Sequence, residues 1–133
     1  DPRYGPDPMR EIDLSCYAGA SVFVSTPSDL VRFATAFNGG TLVKPETVQL
    51  LQATQKLASG QDTGYGLGWD LETVTVAGRQ TPWVGHDGDV LGGVTGTLAT
   101  LPEHKLTVAV LANMSYSNTP ALAIKIADAF AAR

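Results

Sequence analysis

The residues of this chain best placed to do chemistry stand in one run, Gly85-His86-Asp87-Gly88-Asp89. An imidazole changes its charge near neutral pH, and two carboxylates follow it within three residues. A plainer use of the run is structural, because Asp-Gly is a common turn dipeptide. Cys16 is the single cysteine, so no internal disulfide can form. Two uses are open to it: a nucleophile with His86 as its base, or a small buried residue, since free cysteine packs as a hydrophobe. The second histidine, His104, falls in a predicted solvent turn. Cys16, His86 and His104 are scattered without metal-ligand spacing, and no cofactor is expected.

Several elements must position that run. Thr26 can cap a helix, Pro27 suits its first position, and Asp29 completes a capping-box spacing. Leu30, Phe33, Ala34 and Phe37 then share one face, and Asn38-Gly39-Gly40 supplies a left-handed stop, setting the helix at 27–38. Pro45 starts a second helix of about three turns, with Val48, Leu51 and Leu50 toward a core. From Tyr65 the period becomes strand-like: Leu67, Trp69 and Leu71 alternate with Gly68, Asp70 and Glu72. Val74 and Val76 carry the alternation to a turn at Ala77-Gly78-Arg79, and a short strand from Thr81 to Gly85 leads into the His86 run. Val94 to Leu101 and the nearly unbroken apolar Leu106 to Ala112 are joined by a type I turn containing Pro102. Asn118-Thr119-Pro120 starts a last helix, with Leu122, Ile126 and Phe130 along one side.

The order is loop over 1–24, helices over 25–60, antiparallel sheet over 64–113 and a terminal helix over 118–132, an α/β chain of the α+β kind. The apolar run 106–112 suggests a central strand covered on both faces. One terminal helix covers one face, so the early helices, or something outside the chain, must cover the other. With 133 residues the chain suffices for one compact domain. A composition 44% hydrophobic and 17% charged fits a folded protein and not a disordered one. The net charge of −4 lacks the basic excess of a nucleic-acid binder. No apolar run reaches the roughly 18 residues of a membrane span, and no signal-peptide pattern is visible.

Five segments, in order, carry a family resemblance. The run from Ala18 to Leu30 resembles the helix-opening "AGG-x-x-ST-x-x-DL" of class C β-lactamases and their penicillin-recognising relatives. Tyr65-Gly66-Leu67-Gly68-Trp69 resembles their "GLGW" strand, and Trp83 to Gly93 the strand bearing their third active-site motif. Leu101 to Leu106, then Leu111 to Tyr116, resemble their last two strands. The resemblance runs from about residue 18 to the C-terminus and implies the C-terminal part of a β-lactamase/transpeptidase-like fold.

Such enzymes act through Ser-x-x-Lys, Tyr-x-Asn or Ser-x-Asn, and Lys-Thr-Gly or His-x-Gly. Three residues before Lys44, Lys56, Lys105 and Lys125 stand Thr41, Ala53, Pro102 and Leu122, so Ser-x-x-Lys is absent. The resemblance places the first two motifs upstream of residue 1. Tyr116-Ser117-Asn118 matches Tyr-x-Asn literally, but it follows the last strand, where relatives open their terminal helix. His86-Asp87-Gly88 stands, by the resemblance, where the third motif does. By the resemblance His86 takes the place of the family's lysine, Gly88 keeps a strand edge bare for substrate, and the Asp89 N–H is an oxyanion donor. Asn113 is implied to touch substrate, with a capping or turn role equally open. Asp87 and Asp89 should repel a substrate carboxylate unless His86 is protonated, which favours an esterase, amidase or peptidase over an efficient β-lactamase.

Three hypotheses follow. In the first, the chain is the C-terminal part of a serine hydrolase whose partners are the N-terminal portion of the same protein and a small-molecule or peptide acyl substrate. In the second, it is a non-catalytic binding or scaffold module that holds peptide or cell-wall material along the 85–93 edge. In the third, Cys16 and His86 form a self-contained hydrolase, an idea that a buried Cys16 far from His86 would sink. The resemblance implies action in the periplasm or outside the cell.

Overall fold

The computed structural model describes residues 5, 8, 13, 15–20, 23–90 and 93–131. Among the described residues three helices, α1 (Pro27–Asn38), α2 (Pro45–Leu51) and α3 (Thr119–Ala131), accompany one antiparallel sheet. Its four strands, β1 (Asp70–Val76), β2 (Arg79–Val90), β3 (Val94–Leu101) and β4 (Leu106–Ala112), lie side by side in chain order. The α+β class expected from the sequence is the class observed. Most of the 1–24 loop lies outside the described residues, as do Ser21, Val22, Leu91 and Gly92 of the resembling segments. Within that first stretch Ser15–Tyr17 form one 3₁₀ turn.

The first helix has the ends its sequence encodes. Thr26 accepts the Asp29 N–H at 3.2 Å and donates its hydroxyl to the Asp29 carboxylate at 2.9 Å. At the far end Gly40 adopts φ of +74°. The N–H groups of Gly40 and Thr41 reach back to Phe37 O and Ala36 O, the bond pair of a Schellman stop. Ala34 and Phe37 are buried, whereas Phe33 is 46% exposed. Helix α2 has seven residues and not three turns. It stops where Leu51 O accepts the N–H of Leu67 at 2.8 Å in place of another helical donor. Val48 is buried and Leu51 half-buried, while Leu50 is exposed.

Three strand expectations need correction. The strand expected from Tyr65 begins at Asp70, because Gly64 and Gly68 take φ of +70° and +84° and the Gly66 N–H turns back to Trp69 O. The strand expected to end at Gly85 runs on to Val90, since β3 pairs with it from Val84↔Thr100 to Val90↔Val94. The Asp87-Gly88 dipeptide is thus strand and not turn. Finally, among the described residues β4 is an edge strand and not a central one. Its apolar character has another cause, since α1 packs on one face and α3 on the other.

Two cores result, one on each face of the sheet. Val76, Trp83, Ala99, Leu101, Val108 and Val110 close against Ala123 and Ala127 of α3. Phe37, Val48 and Trp69 pack on the other face with Leu71 and Val84, the Phe37 and Trp69 rings 5.1 Å apart. Asn118 Oδ1 accepts the Ala121 N–H and so caps α3. That helix meets the sheet through Thr119, Ala123 and Ala127; of the side expected from Leu122, Ile126 and Phe130, Ile126 packs against the core while Leu122 and Phe130 are 48% and 56% exposed. Alanines let the helix backbone approach the sheet closely, and the larger side chains spread to its flanks.

Candidate active site

The β1–β2 hairpin decides how the His86 run is presented. Ala77 and Gly78, with φ of +50° and +75°, form a two-residue type I′ turn. Such a turn closes on a hydrogen-bonded pair, here Val76↔Arg79. Bonded and non-bonded pairs alternate along an antiparallel ladder, so Thr81, Trp83 and Gly85 turn their N–H and C=O groups toward β1. The pairing with β1 ends at Asp70↔Gly85. Asp87 and Asp89 continue the same phase and direct their backbone groups to an edge that β1 does not cover. His86, Gly88 and Val90 bond the other way, to Leu98, Gly96 and Val94 of β3.

Side chains alternate as well. His86 and Gly88 stand on the face that carries α1, in phase with Val84 of the Trp69 core. Asp87 and Asp89 stand on the α3 face, in phase with Trp83 and opposite Thr97 and Thr95. The two carboxylates therefore do not share a face with the imidazole. Their charge reaches the edge across the strand, within a screening length, and not by contact. At Gly88 no heavy atom of the described residues stands within 4 Å of where a Cβ would be, so among them that face of the strand is bare.

The His86 ring is held at both nitrogens. Nδ1 lies 2.6 Å from Asp87 O, and Nε2 lies 3.0 Å from the Tyr65 hydroxyl. A carbonyl only accepts, so Nδ1 carries the proton, and in the neutral ring Nε2 accepts from Tyr65. That Asp87 carbonyl is one of the groups the hairpin phase assigns to the open edge. The Tyr65 and His86 rings meet edge to face at 77°, with centroids 5.8 Å apart. Both border an open cavity of about 830 Å³ on the α1 face, floored by Gly88, Gly96 and Leu98 and walled by Leu30 and Leu111.

The structure sorts the other candidates. Asp87, Gly88 and Asp89 border the cavity with His86. Asn113 lies just past β4, its carbonyl near Gly93 of the β2–β3 turn, and is not among the cavity residues. Cys16 is exposed, which corrects the expected burial. Both His86 nitrogens are engaged by groups other than Cys16, so the contact a Cys-His couple needs is not made. His104 is half-buried and not in open solvent. Thr81, itself fully buried, has its hydroxyl 3.3 Å from Arg79 O and 3.1 Å from His104 Nε2. Tyr116 is 94% exposed in the turn before α3. Tyr65 is the site residue that strand periodicity alone did not single out; the signal for it was a tyrosine between two glycines.

Among the described residues no group of three or more His, Cys, Asp or Glu is arranged to hold a metal ion, and no helix is long and apolar enough to cross a membrane. Neither curated proteins nor solved structures give a match to this sequence. The model of one family does match, over residues 1–133. With the antiparallel sheet, the helix packed on it and the His-x-Gly strand at an open edge, that match makes this chain a member of the beta-lactamase family.

Proposed function

We propose that the chain is the C-terminal part of a β-lactamase-like serine hydrolase and forms one wall of its active site. The observation that carries this reading is the β2 edge beyond Gly85, with the backbone of Asp87 and Asp89 directed outward beside His86. In this reading the carbonyl of an ester or amide lies along that edge. As a serine attacks, the carbonyl oxygen becomes negative, and the Asp89 N–H donates to it together with the serine's own N–H. The serine and its lysine belong to an upstream Ser-x-x-Lys. The acyl group passes to the serine oxygen, the alcohol or amine leaves, and water then releases the acid. His86, held by the Asp87 carbonyl and the Tyr65 hydroxyl, lines the substrate side of that edge. Acids on the reverse face of the strand favour substrates that are neutral or cationic at this edge.

The test is intact mass after incubation with a p-nitrophenyl ester. The 133-residue chain is expected to gain no acyl adduct, and the same chain joined to its native upstream sequence is expected to gain one. An adduct on the chain alone, or none on the longer protein, overturns the reading. The same bare edge also suits the addition of a peptide strand without chemistry. Saturable peptide binding by an inert longer protein would favour that second reading.

A further inference from the structure

We propose that Tyr65 is a positioning residue for His86, locking the imidazole in the Nδ1–H form with its Nε2 lone pair held by the tyrosine hydroxyl. The Asp87 carbonyl fixes one nitrogen and the Tyr65 hydroxyl the other, at 2.6 and 3.0 Å. A free imidazole can exchange tautomers and turn about its side-chain bonds; this one meets a pure acceptor on one side and a donor on the other. The consequence for catalysis rests on the hydrolase reading above, while the tautomer itself does not.

Tyr65 can do this because its own loop is held on every side. Its N–H donates to Thr63 Oγ1 at 3.1 Å, and its carbonyl accepts from the Gln55 N–H at 2.8 Å. On either side of it the Leu71 N–H bonds to Gly64 O, and the Gly66 N–H bonds to Trp69 O. A Cβ at Gly66 would stand 2.3 Å from Leu51 O, so only glycine lets this loop seat on the end of α2. Trp69, buried against Phe37, pins the far end. The glycines at 64, 66 and 68 thus serve to bring one hydroxyl to one ring nitrogen.

The experiment is a long-range ¹⁵N–¹H spectrum of the imidazoles of the 133-residue chain, recorded at alkaline pH. His104 is an internal control, since its Nε2 lies against the Thr81 hydroxyl and not against Tyr65. The expected result is Nδ1–H for His86. In Tyr65→Phe, which keeps the ring and removes the hydroxyl, the His86 ratio of Nδ1–H to Nε2–H is expected to fall about fivefold, the factor that one hydrogen bond of ordinary net strength carries. His104 should not change. A wild-type His86 in the Nε2–H form, or a ratio unmoved in Tyr65→Phe, overturns the proposal. Neither readout requires activity, so failure of the hydrolase reading would leave the tautomer result standing and would be recognised separately.

Discussion

Asp70 and Gly85 form the last pair between β1 and β2, and the strand that carries His86 continues for five residues beyond it. That mismatch in strand length creates the open edge. The phase set by the Ala77-Gly78 turn then selects Asp87 and Asp89 as the residues whose backbone faces outward. Turn, pairing and strand length together expose two N–H groups beside an imidazole.

Two glycines three residues apart should respond in opposite ways. A Cβ at Gly88 meets nothing within 4 Å among the described residues, whereas at Gly85 it would stand 2.5 Å from Leu98 O. Gly88→Ala is expected to leave stability unchanged or raise it by up to about 1 kcal/mol and, under the proposed hydrolase reading, to lower kcat/KM of the protein with its upstream sequence by crowding the proposed substrate face. Gly85→Ala is expected to cost about 1–3 kcal/mol, as overpacking does. Urea unfolding of the two variants checks the contrast.

The hairpin turn carries removable strain. Ala77 sits at φ of +50°, which costs a non-glycine residue about 1–2 kcal/mol. Ala77→Asn creates the Asn-Gly pair that type I′ turns prefer. It is expected to stabilise the chain by about 0.5–1 kcal/mol, read as a higher denaturation midpoint at unchanged slope.

That turn is also tied to the terminal helix. The Asp128 carboxylate accepts the Ala77 N–H at 2.8 Å. Asp128→Ala is expected to cost about 1–2 kcal/mol, the range for a hydrogen bond to a charged group when the donor left behind can reach water. Asp128→Asn, which keeps an acceptor oxygen, is expected to recover about half of that loss. A loss equal in both variants would show that the charge matters more than the bond.

Much of this was legible in the residues. Thr26, Pro27 and Gly40 mark helix α1 through local chemistry alone, and the helix has those ends. The length of β2 was not legible, because Asp87-Gly88 has turn chemistry and only pairing with β3 keeps it extended. Apolar β4 looked like a central strand because periodicity reports cover on the faces, not at the edges, and helices cover both its faces. The His86 run itself was visible by type. Its contact with Tyr65 was not, since that contact spans 21 positions and depends on a glycine loop whose regular spacing imitates a strand. The separation of Asp87 and Asp89 from the imidazole follows from strand alternation once the run is known to be strand.

Amide hydrogen exchange across residues 84–90 of the 133-residue chain tests the open edge most directly. Asp87 and Asp89 are expected to exchange rapidly, and His86 and Gly88, bonded to β3, to exchange at least a hundredfold more slowly, as protected ladder amides do. Protection of Asp87 and Asp89 together with free exchange at His86 and Gly88 would contradict the assigned phase, and with it the oxyanion donor and the substrate wall.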